Sequence, residues 1–390
     1  MYAVSSGFSS AAASKNAPWQ RRFTIGTSDY SDYVSKWPSI SKQWDQLNPQ
    51  TVSIDLSNEG QTFNFLTADP TKMRSESAVK LGFVYAVGSE EFVTMFSGTV
   101  DSARFQGGKC SVTLIDKFRK LTDRKIGDNT SAVNYISSSY LVHDMAWYLC
   151  SSLGGLSGVK TTGNIDIDYT SWSSWSSVFS VDNVRVKAQF TGQTPLEALR
   201  KLSTLTDSAI YIENNKIKFM RFSLVDSNSA TLDDGTIIDA TATLDDRSLV
   251  NAAYISAGYD TTSKSFGITV SDMNSGSQAS YGVREQVTAE QVVWLVDSVS
   301  ALNLAQRRVA RMKDLRPMLS VKTPLQAAVV TIGDTVAFTD ALLGIDNSFR
   351  IMSETVDFDS GIKTFGIDKT QYFSAFYLDG SQLDGLDVLT

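Results

Sequence analysis

Histidine and cysteine, the side chains used most often in nucleophilic and metal chemistry, are scarce in this sequence. The 390 residues include one histidine, His143, and two cysteines, Cys110 and Cys150. A Ser–His–Asp site would have to use His143, and the neighbouring Asp144 points elsewhere if both residues lie on a helix. Zinc requires three or four nitrogen or sulfur ligands at compact spacing, which these residues do not supply. The sequence therefore predicts no catalytic, metal-binding or cofactor-binding residues, and a protein that is not an enzyme.

Two pairs of acidic residues are further candidates for chemistry. Asp166/Asp168 and Asp233/Asp234 could bind calcium or act as paired carboxylates in glycoside hydrolysis. Neither pair lies in the calcium-loop pattern of alternating acids around a glycine, so we favour solvated loop acids. No glycine-rich phosphate loop precedes a helix, and Gly333 fits a turn that begins a strand.

The segment SWSSWSS at 171–177 is the strongest candidate for binding. Exposed tryptophans separated by serine would form a sugar-stacking platform or a partner contact, and Trp172 and Trp175 are the candidate contact residues. The alternative is that both rings anchor an irregular region, 155–190, on the core, where aromatic rings bury a large apolar area. We favour the anchor.

Charge and cysteine content limit the classes of partner and compartment. The net charge of −7 and the pI near 4.9 argue against a duplex-DNA binder, which needs a basic face. An acidic chain can still line a DNA channel by repelling DNA, although aid to solubility is the simpler interpretation.

Two cysteines form no disulfide framework, which predicts buried free thiols and folding in a reducing cytoplasm. The sequence has neither a secretory signal pattern nor a run approaching the ~18 apolar residues of a membrane span.

Short runs of alternating apolar and polar residues indicate a mainly β fold. In TVSIDLS at 51–57, Val52, Ile54 and Leu56 alternate with polar residues, a period that buries one face of a sheet. Two candidate hairpins echo each other, FSGTVDSARFQGGKCSVTLID at 96–116 and ETVDFDSGIKTFGID at 354–368. Both contain Thr-Val-Asp, a glycine turn with a lysine, and a final Ile-Asp. A β module used twice indicates an assembly protein more than an enzyme.

Three segments have helical patterns. The first is SYLVHDMAWYLCSSLGG at 139–155. The second begins with a capping box at Thr194–Glu197, with proline at the first helical position, and is followed by a hairpin with an Asn214-Asn215 turn. The third begins with a capping box at Thr288–Gln291 and continues to about Asp314. The small-residue segment 1–20 is expected to be an extended arm.

The order of segments in the last half of the chain resembles that of bacteriophage tail baseplate or tail-tip hub proteins. The resemblance rests on the helix and hairpin of GQTPLEALRKLSTLTDSAIYIENNKIKFMRF, followed in order by NAAYISAGY, YGVREQVTAEQ, ALNLAQRRVARMKDLRPMLSVKTPL, VVTIGDTVAF and FRIMSETVDF. It covers roughly 190–368, with a weaker match at 20–120. Residues 125–190 and 371–390 depart from the family pattern.

The resemblance implies a mainly β, α+β chain with two tail-tube-like β-barrel domains, an inserted helical and irregular region, and a small helix-plus-hairpin domain. The expected divisions are an N-terminal arm (1–20), a first barrel (21–125), a helix and Ser/Trp-rich insertion (126–190), the small α/β domain (191–250), a second barrel with the long helix (251–370) and a C-terminal arm (371–390).

The resemblance also implies a function. Two barrels per chain in a homotrimer would form a pseudo-sixfold ring, which joins a sixfold tail tube or distal tail protein above to a threefold tip or fibre protein below. Such a ring would line a channel through which viral DNA passes without specific binding. The protein would be made in the host bacterial cytoplasm and reside in the virion. The alternatives are a tail-tip receptor- or carbohydrate-binding protein and, with less support from the sequence, a cell-wall hydrolase.

Overall fold

The structure, a computed structural model, describes residues 4–369 apart from 14–18, 45–46, 87–88, 127–132, 136–139, 182–183, 191, 207, 222–227, 245–248, 261, 289–292, 316 and 326–328. The predicted mainly β, α+β fold class is confirmed, and the structure includes a sheet curled into a half-barrel. No helix in the described ranges is long and apolar enough to cross a bilayer.

The strands, in chain order, are β1 (Trp19–Ile25), β2 (Ser28–Asp29), β3 (Val34–Lys36), β4 (Ser39–Gln43), β5 (Thr51–Ser57), β6 (Glu76–Ala86), β7 (Ser89–Gln106), β8 (Lys109–Ile115), β9 (Val133–Tyr135), β10 (Ala188–Phe190), β11 (Ser208–Glu213), β12 (Lys216–Arg221), β13 (Ala230–Leu232), β14 (Asp239–Leu244), β15 (Ala252–Asp260), β16 (Ser265–Met273), β17 (Glu285–Thr288), β18 (Pro317–Pro324), β19 (Thr335–Asp340), β20 (Ile345–Asp357) and β21 (Ile362–Lys369).

The helices are α1 (Ser6–Ala13), α2 (Phe65–Ala68), α3 (Arg119–Thr122), α4 (Val142–Tyr148), α5 (Tyr169–Val181), α6 (Pro195–Thr206), α7 (Ser275–Tyr281) and α8 (Ser298–Met312). Helix α4 continues into a π-helical turn at Leu149–Leu153. The N-terminal segment is helical at α1 rather than extended, because Phe8 packs edge-on against Phe83 of β6 with ring centroids 5.2 Å apart. The predicted arm at 371–390 lies outside the described residues.

Seven strands of the first third form an antiparallel sheet in the order β2-β1-β6-β7-β8-β5-β3. The alternation predicted for β5 is confirmed, since Val52, Ile54 and Leu56 are all buried. Strands β7 and β8 are joined by Gly107-Gly108, whose φ values of 54° and 76° favour glycine and match the twist of a tight hairpin.

A second seven-stranded sheet has the order β13-β19-β20-β21-β18-β14, with β4 as an additional strand on β20. Strand β20 is long enough to hold two partners along one edge. Its first half pairs with β19 and its second half, Ser353–Asp357, pairs with β4. A strand from the first part of the chain therefore completes the sheet formed by the last part.

The two sheets share one strand order over five strands. The first contains β6-β7-β8-β5-β3 and the second contains β19-β20-β21-β18-β14. In each, three consecutive strands form an antiparallel meander, and the strand that precedes them pairs with the last of the three. All neighbouring pairs within these five-strand units are antiparallel, including the outermost pairs. The same β module is thus used twice, as a Greek-key-like unit.

The two echoed hairpins lie in separate sheets, as predicted, but their matching residues occupy different positions. Thr99 pairs with Ile115 at the end of the β7–β8 hairpin that is far from its turn. Thr355 pairs with Thr364, close to the β20–β21 turn. The repeat is therefore one of strand order, and the Thr-Val-Asp echo is not structurally equivalent in the two copies.

A third region joins the central helices to two small sheets. The β11–β12 hairpin and the sheet β16-β15-β17 share one apolar core with α4, α5, α6 and α8. The capping box of α6 is confirmed: Thr194 N donates to Glu197 Oε2 (2.7 Å), and Glu197 N donates to Thr194 Oγ1 (3.2 Å). The Asn214-Asn215 turn is also confirmed, with φ values of 48° and 58°.

Two helix predictions were wrong. The supposedly irregular segment after residue 168 contains the 13-residue helix α5. The long helix begins at Ser298 rather than near Thr288, because Glu285–Thr288 pairs with β15 as a parallel strand. Asp297 caps the helix instead, accepting a hydrogen bond from Ser300 N at 2.7 Å. Residues 289–291 of the predicted capping box lie outside the described residues.

The sheets do not follow the sequence blocks expected to be domains. Strand β4 lies within 21–125 yet pairs with β20 of the second sheet. Strands β13 and β14 lie within 191–250 and also pair in the second sheet. Strands β15–β17 and helix α8 lie within 251–370 but contribute to the core of the central helices.

Candidate interaction site

Strand β4 is held on the second sheet by a buried ionic cluster of Lys42, Glu354 and Lys363. Glu354 is 1% exposed, and its two carboxylate oxygens lie 3.2 Å from Lys42 Nζ and 3.0 Å from Lys363 Nζ. Thr331 Oγ1 donates to the same carboxylate at 3.2 Å. Burial raises the pKa of Glu354, but attraction to Lys363 and Lys42 outweighs burial and lowers the pKa to about 2. The ionised carboxylate therefore joins three strands.

The turn between β20 and β21 packs on the first sheet. Phe358 in this turn stacks on Trp37 with centroids 6.0 Å apart, and its carbonyl oxygen accepts a hydrogen bond from Arg21 Nη1 at 2.9 Å. The guanidinium of Arg21 lies over the rings of Trp19 and Trp37 at 5.3 and 5.1 Å. Val356 and Phe358 belong to the first sheet's apolar core. The two β modules are thus packed together as well as linked through β4.

Strand β14 is an uncovered edge of the second sheet. Among the described residues it pairs only with β18, and most of its side chains are exposed on both faces. Ala242 lies opposite the buried Leu319, so it is on the core side of the sheet, yet it is exposed. On the same side, Leu244 is 68% exposed. An apolar edge of this kind is typical of a strand that is covered in an assembly.

A cleft of about 570 Å³ opens beside α4, and we call it the aromatic cleft. Its lining includes Tyr140, Asp144, Trp147, Tyr148, Ser152 and Lys160. Most of these residues form one stripe along α4 and its continuation, at helical spacing. Lys160 comes from the following loop, whose shape is fixed by the buried Asn164: its side-chain amide donates to the carbonyls of Ser157 (2.9 Å) and Val159 (2.8 Å).

The back of the aromatic cleft is a cluster of aromatic rings. The rings of Trp147 and Trp172 lie edge to face, 4.7 Å apart. Lys160 Nζ lies 4.8 Å from the centroid of Trp172 and 5.5 Å from that of Trp147, within cation–π range. The same ammonium is 3.3 Å from Asp144 Oδ1. One ammonium group therefore contacts two rings and a carboxylate at the edge of the cleft.

The candidate tryptophans are both buried, which supports the anchor and argues against an exposed stacking platform. Trp172 is 6% exposed and Trp175 is 2% exposed. They lie three residues apart on α5, so both rings face the core. Trp175 Nε1 donates to Ser208 Oγ at 2.8 Å and its ring packs on Phe219. Trp172 contributes to the back of the cleft, whereas Trp175 does not line it.

The histidine and the two cysteines, which were the other candidates for chemistry, are all buried. His143 is buried on α4, and burial lowers its pKa although Asp144 opposes this. Both cysteines are free and buried, and burial raises the pKa of Cys110 to about 11 and that of Cys150 further. No group of metal-ligating side chains occurs among the residues that the structure describes.

The two acidic pairs differ from each other. Asp233 is the exposed loop acid that was expected, and its carboxylate accepts hydrogen bonds from Gly235 N and Thr236 Oγ1 within its own turn. Asp166 is not solvated: it is buried and lies 2.9 Å from Lys117 Nζ. Burial opposes its ionisation, but hydrogen bonds from Ser157 N and Lys117 leave its pKa lowered. Asp168 caps α5 through Ser171 N at 3.0 Å.

The residues of the aromatic cleft were missed by sequence reasoning. Their signal was the spacing of Tyr140, Asp144, Trp147 and Tyr148, which places them along one side of a helix. The sequence predicts a helix over this segment and indicates no binding role for these residues. Lys160 has no periodic signal at all, because the loop that carries it is held by Asn164.

The architecture of two linked β modules around a helical core defines a known class of fold, that of phage tail proteins. Solved structures that align with the chain include three phage tail proteins, at identities that establish the fold alone. A 43 kDa tail protein of prophage MuSo2 from Shewanella oneidensis aligns over 89% of this chain and 97% of its own, with 14% identity and a TM-score of 0.54. A tail protein from Neisseria meningitidis MC58 aligns over 90% and 96%, with 13% identity and a TM-score of 0.59.

The third structure is prophage tail protein gp18 from Listeria monocytogenes EGD-e. It aligns over 94% of this chain and 99% of its own, with 13% identity and a TM-score of 0.52. No family model and no curated protein sequence matches the chain. The expected resemblance to phage tail proteins is thus confirmed at the level of the fold.

Proposed function

We propose that the chain is a structural protein of a bacteriophage tail, a hub at the baseplate or tail tip, rather than an enzyme. The observation that carries the proposal is the repeated strand order β6-β7-β8-β5-β3 and β19-β20-β21-β18-β14. A homotrimer of a chain with two similar sheets presents six similar sheets around one axis. Such a ring can meet a sixfold tube on one side and a threefold tip or fibre on the other.

The links between the two sheets support this role. A symmetry adaptor must keep its two modules at a fixed spacing, because each must contact an equivalent position on the tube. Strand β4, the ionic cluster of Lys42, Glu354 and Lys363, and the contact of Arg21 with Phe358 all connect the modules. The uncovered edge of β14 supplies a surface on which a neighbouring copy would pair.

The negative charge suits a channel wall. The 42 acidic side chains outnumber the 35 basic ones, so the chain as a whole, with a net charge of −7, repels the phosphates of passing DNA. We expect duplex DNA to show no retention in a gel-shift assay with the assembled protein at physiological salt. Sequence-independent retention that weakens as salt is raised would contradict this part of the proposal.

The assembly itself is tested by native mass spectrometry and by class averages of negatively stained particles. We expect a trimer of the 42.6 kDa chain that appears as a ring with threefold or pseudo-sixfold symmetry and binds tail tube protein. Leu244→Lys should prevent assembly, because it adds a charge to the core side of β14. The matched control is Leu342→Lys, which changes a leucine that is 98% exposed in the β19–β20 turn of the same sheet. A chain that stays monomeric and leaves tube protein unbound would overturn the proposal.

A further inference from the structure

We propose that the aromatic cleft binds a neutral saccharide. This inference does not depend on a role in the tail, because it rests on the chemistry of one cleft. Its volume of about 570 Å³ is within the range of small-ligand sites. Buried Trp147 and partly exposed Tyr140 and Tyr148 line it. Aromatic walls with a few fixed polar groups are the usual composition of such sites.

The paired charges at the edge of the cleft select for a neutral ligand. Asp144 and Lys160 both line the cleft, and their charged atoms are 3.3 Å apart. A ligand with one charge would be attracted by one of these groups and repelled by the other. A sugar hydroxyl can donate to the carboxylate, and its neighbour can accept from the ammonium, so a polyol satisfies both groups. Hydroxyls of Ser151 and Ser152 add further polar groups to the lining.

The polar groups of the cleft are held in place before any ligand arrives. Lys160 is positioned by Asp144 and by the rings of Trp147 and Trp172, and its loop is pinned by Asn164. A side chain that is already ordered loses little conformational entropy on binding. The C–H face of a sugar ring can pack on the partly exposed rings of Tyr140 and Tyr148, whose π faces are electron-rich.

Saturation-transfer NMR and isothermal titration calorimetry on the full chain would test the proposal. The neutral probes are glucose, galactose, rhamnose and N-acetylglucosamine, and the charged probes are glucuronic acid and glucosamine at pH 7. We expect at least one neutral sugar to bind, and its charged relatives to bind more weakly. Binding of none of the neutral sugars, or preference for a charged probe, would overturn the proposal.

Single-residue variants would show whether the sugar binds in the aromatic cleft. Lys160→Met and Asp144→Asn should each lower the affinity for the sugar about tenfold, since each removes a hydrogen bond between the sugar and a charged group. The matched control is Lys201→Met, because Lys201 also lies on a tryptophan ring, 5.5 Å from Trp294, but outside the cleft. Should Lys160→Met fail to fold, as judged by its thermal melt, Tyr148→Ala, which removes an aromatic wall of the cleft, must still weaken binding. Affinity unchanged in Tyr148→Ala and Asp144→Asn would exclude this cleft as the site.

Discussion

Replacing Glu354 by glutamine should destabilise the protein strongly, because it leaves the buried Lys42 and Lys363 without their shared carboxylate. The pKa of Glu354 falls from 4.5 to about 2, and for a side chain only 1% exposed this corresponds to about 3 kcal/mol. Breaking a buried ion pair by removing one partner typically costs about 3–5 kcal/mol. If the 390-residue chain unfolds as one unit, at about 2.1 cal/mol/K per residue, the melting temperature should fall by about 4 °C.

The assay is urea unfolding and calorimetry of Glu354→Gln beside Asp239→Asn. Asp239 is the matched control, since it pairs with Lys322 at 3.0 Å in the same sheet but is about half exposed. An exposed pair of this kind contributes roughly 1 kcal/mol or less. Because the pKa of Glu354 is lowered in the folded state, its contribution is complete above about pH 4.5 and is lost as pH falls toward 2. Equal losses in the two variants, or a difference between them that does not shrink in acid, would refute the reasoning.

Three further predictions concern single residues. Burial raises the pKa of Asp116 from 3.8 to about 7, so its stabilising effect is present at low pH and is lost as pH rises toward 7. Asp116→Asn should therefore be more stable than the parent at pH 8, by up to about 4 kcal/mol, and similar at pH 4. A urea midpoint difference that is the same at both pH values would contradict this. Gly98→Ala should cost roughly 1–3 kcal/mol, because the added methyl group would overlap the carbonyl oxygen of Ile115 in the neighbouring strand. Its denaturation midpoint should fall, and an unchanged midpoint would show that β7 and β8 can separate at no cost. Trp175→Phe removes the hydrogen bond to Ser208 and reduces core volume, which should cost roughly 2 kcal/mol in thermal unfolding without altering sugar binding. Loss of sugar binding in this variant would mean that the cleft depends on α5 as a whole.

Local features of the fold were predictable where a short segment contains its own signal. The capping box of α6 is complete within four residues, and the Asn214-Asn215 turn is defined by two. Alternation in β5 reports burial of one face whatever strand lies beside it. In each case the information is local, so no knowledge of the tertiary structure was needed.

Other features depended on partners that are distant in the chain. The capping pattern at Thr288 is overridden because Glu285–Thr288 finds a parallel partner in β15. Strand β4 has the same alternation as its neighbours, and nothing in its five residues indicates that it belongs to a different sheet. The aromatic cleft could not be predicted either, because a stripe of aromatic residues on a helix has the same spacing whether it lines a core or a cleft.

Strand β4 has a consequence for the order in which the chain folds. Ser41 hydrogen-bonds to Thr355 across the β4–β20 pair, and these residues are 314 positions apart. At a synthesis rate of about 5–20 residues per second, β4 leaves the ribosome roughly 15–60 s before its partner exists. During that interval β4 lacks its partner strand β20, and Lys42 lacks the carboxylate of Glu354, although the first sheet can already form. Completion of the second sheet is therefore a late, long-range event, the kind of contact that slows folding. A chaperone that binds extended segments would bind β4 during this interval. Refolding of the 390-residue chain should show a slow phase that formation of the β7–β8 hairpin does not share.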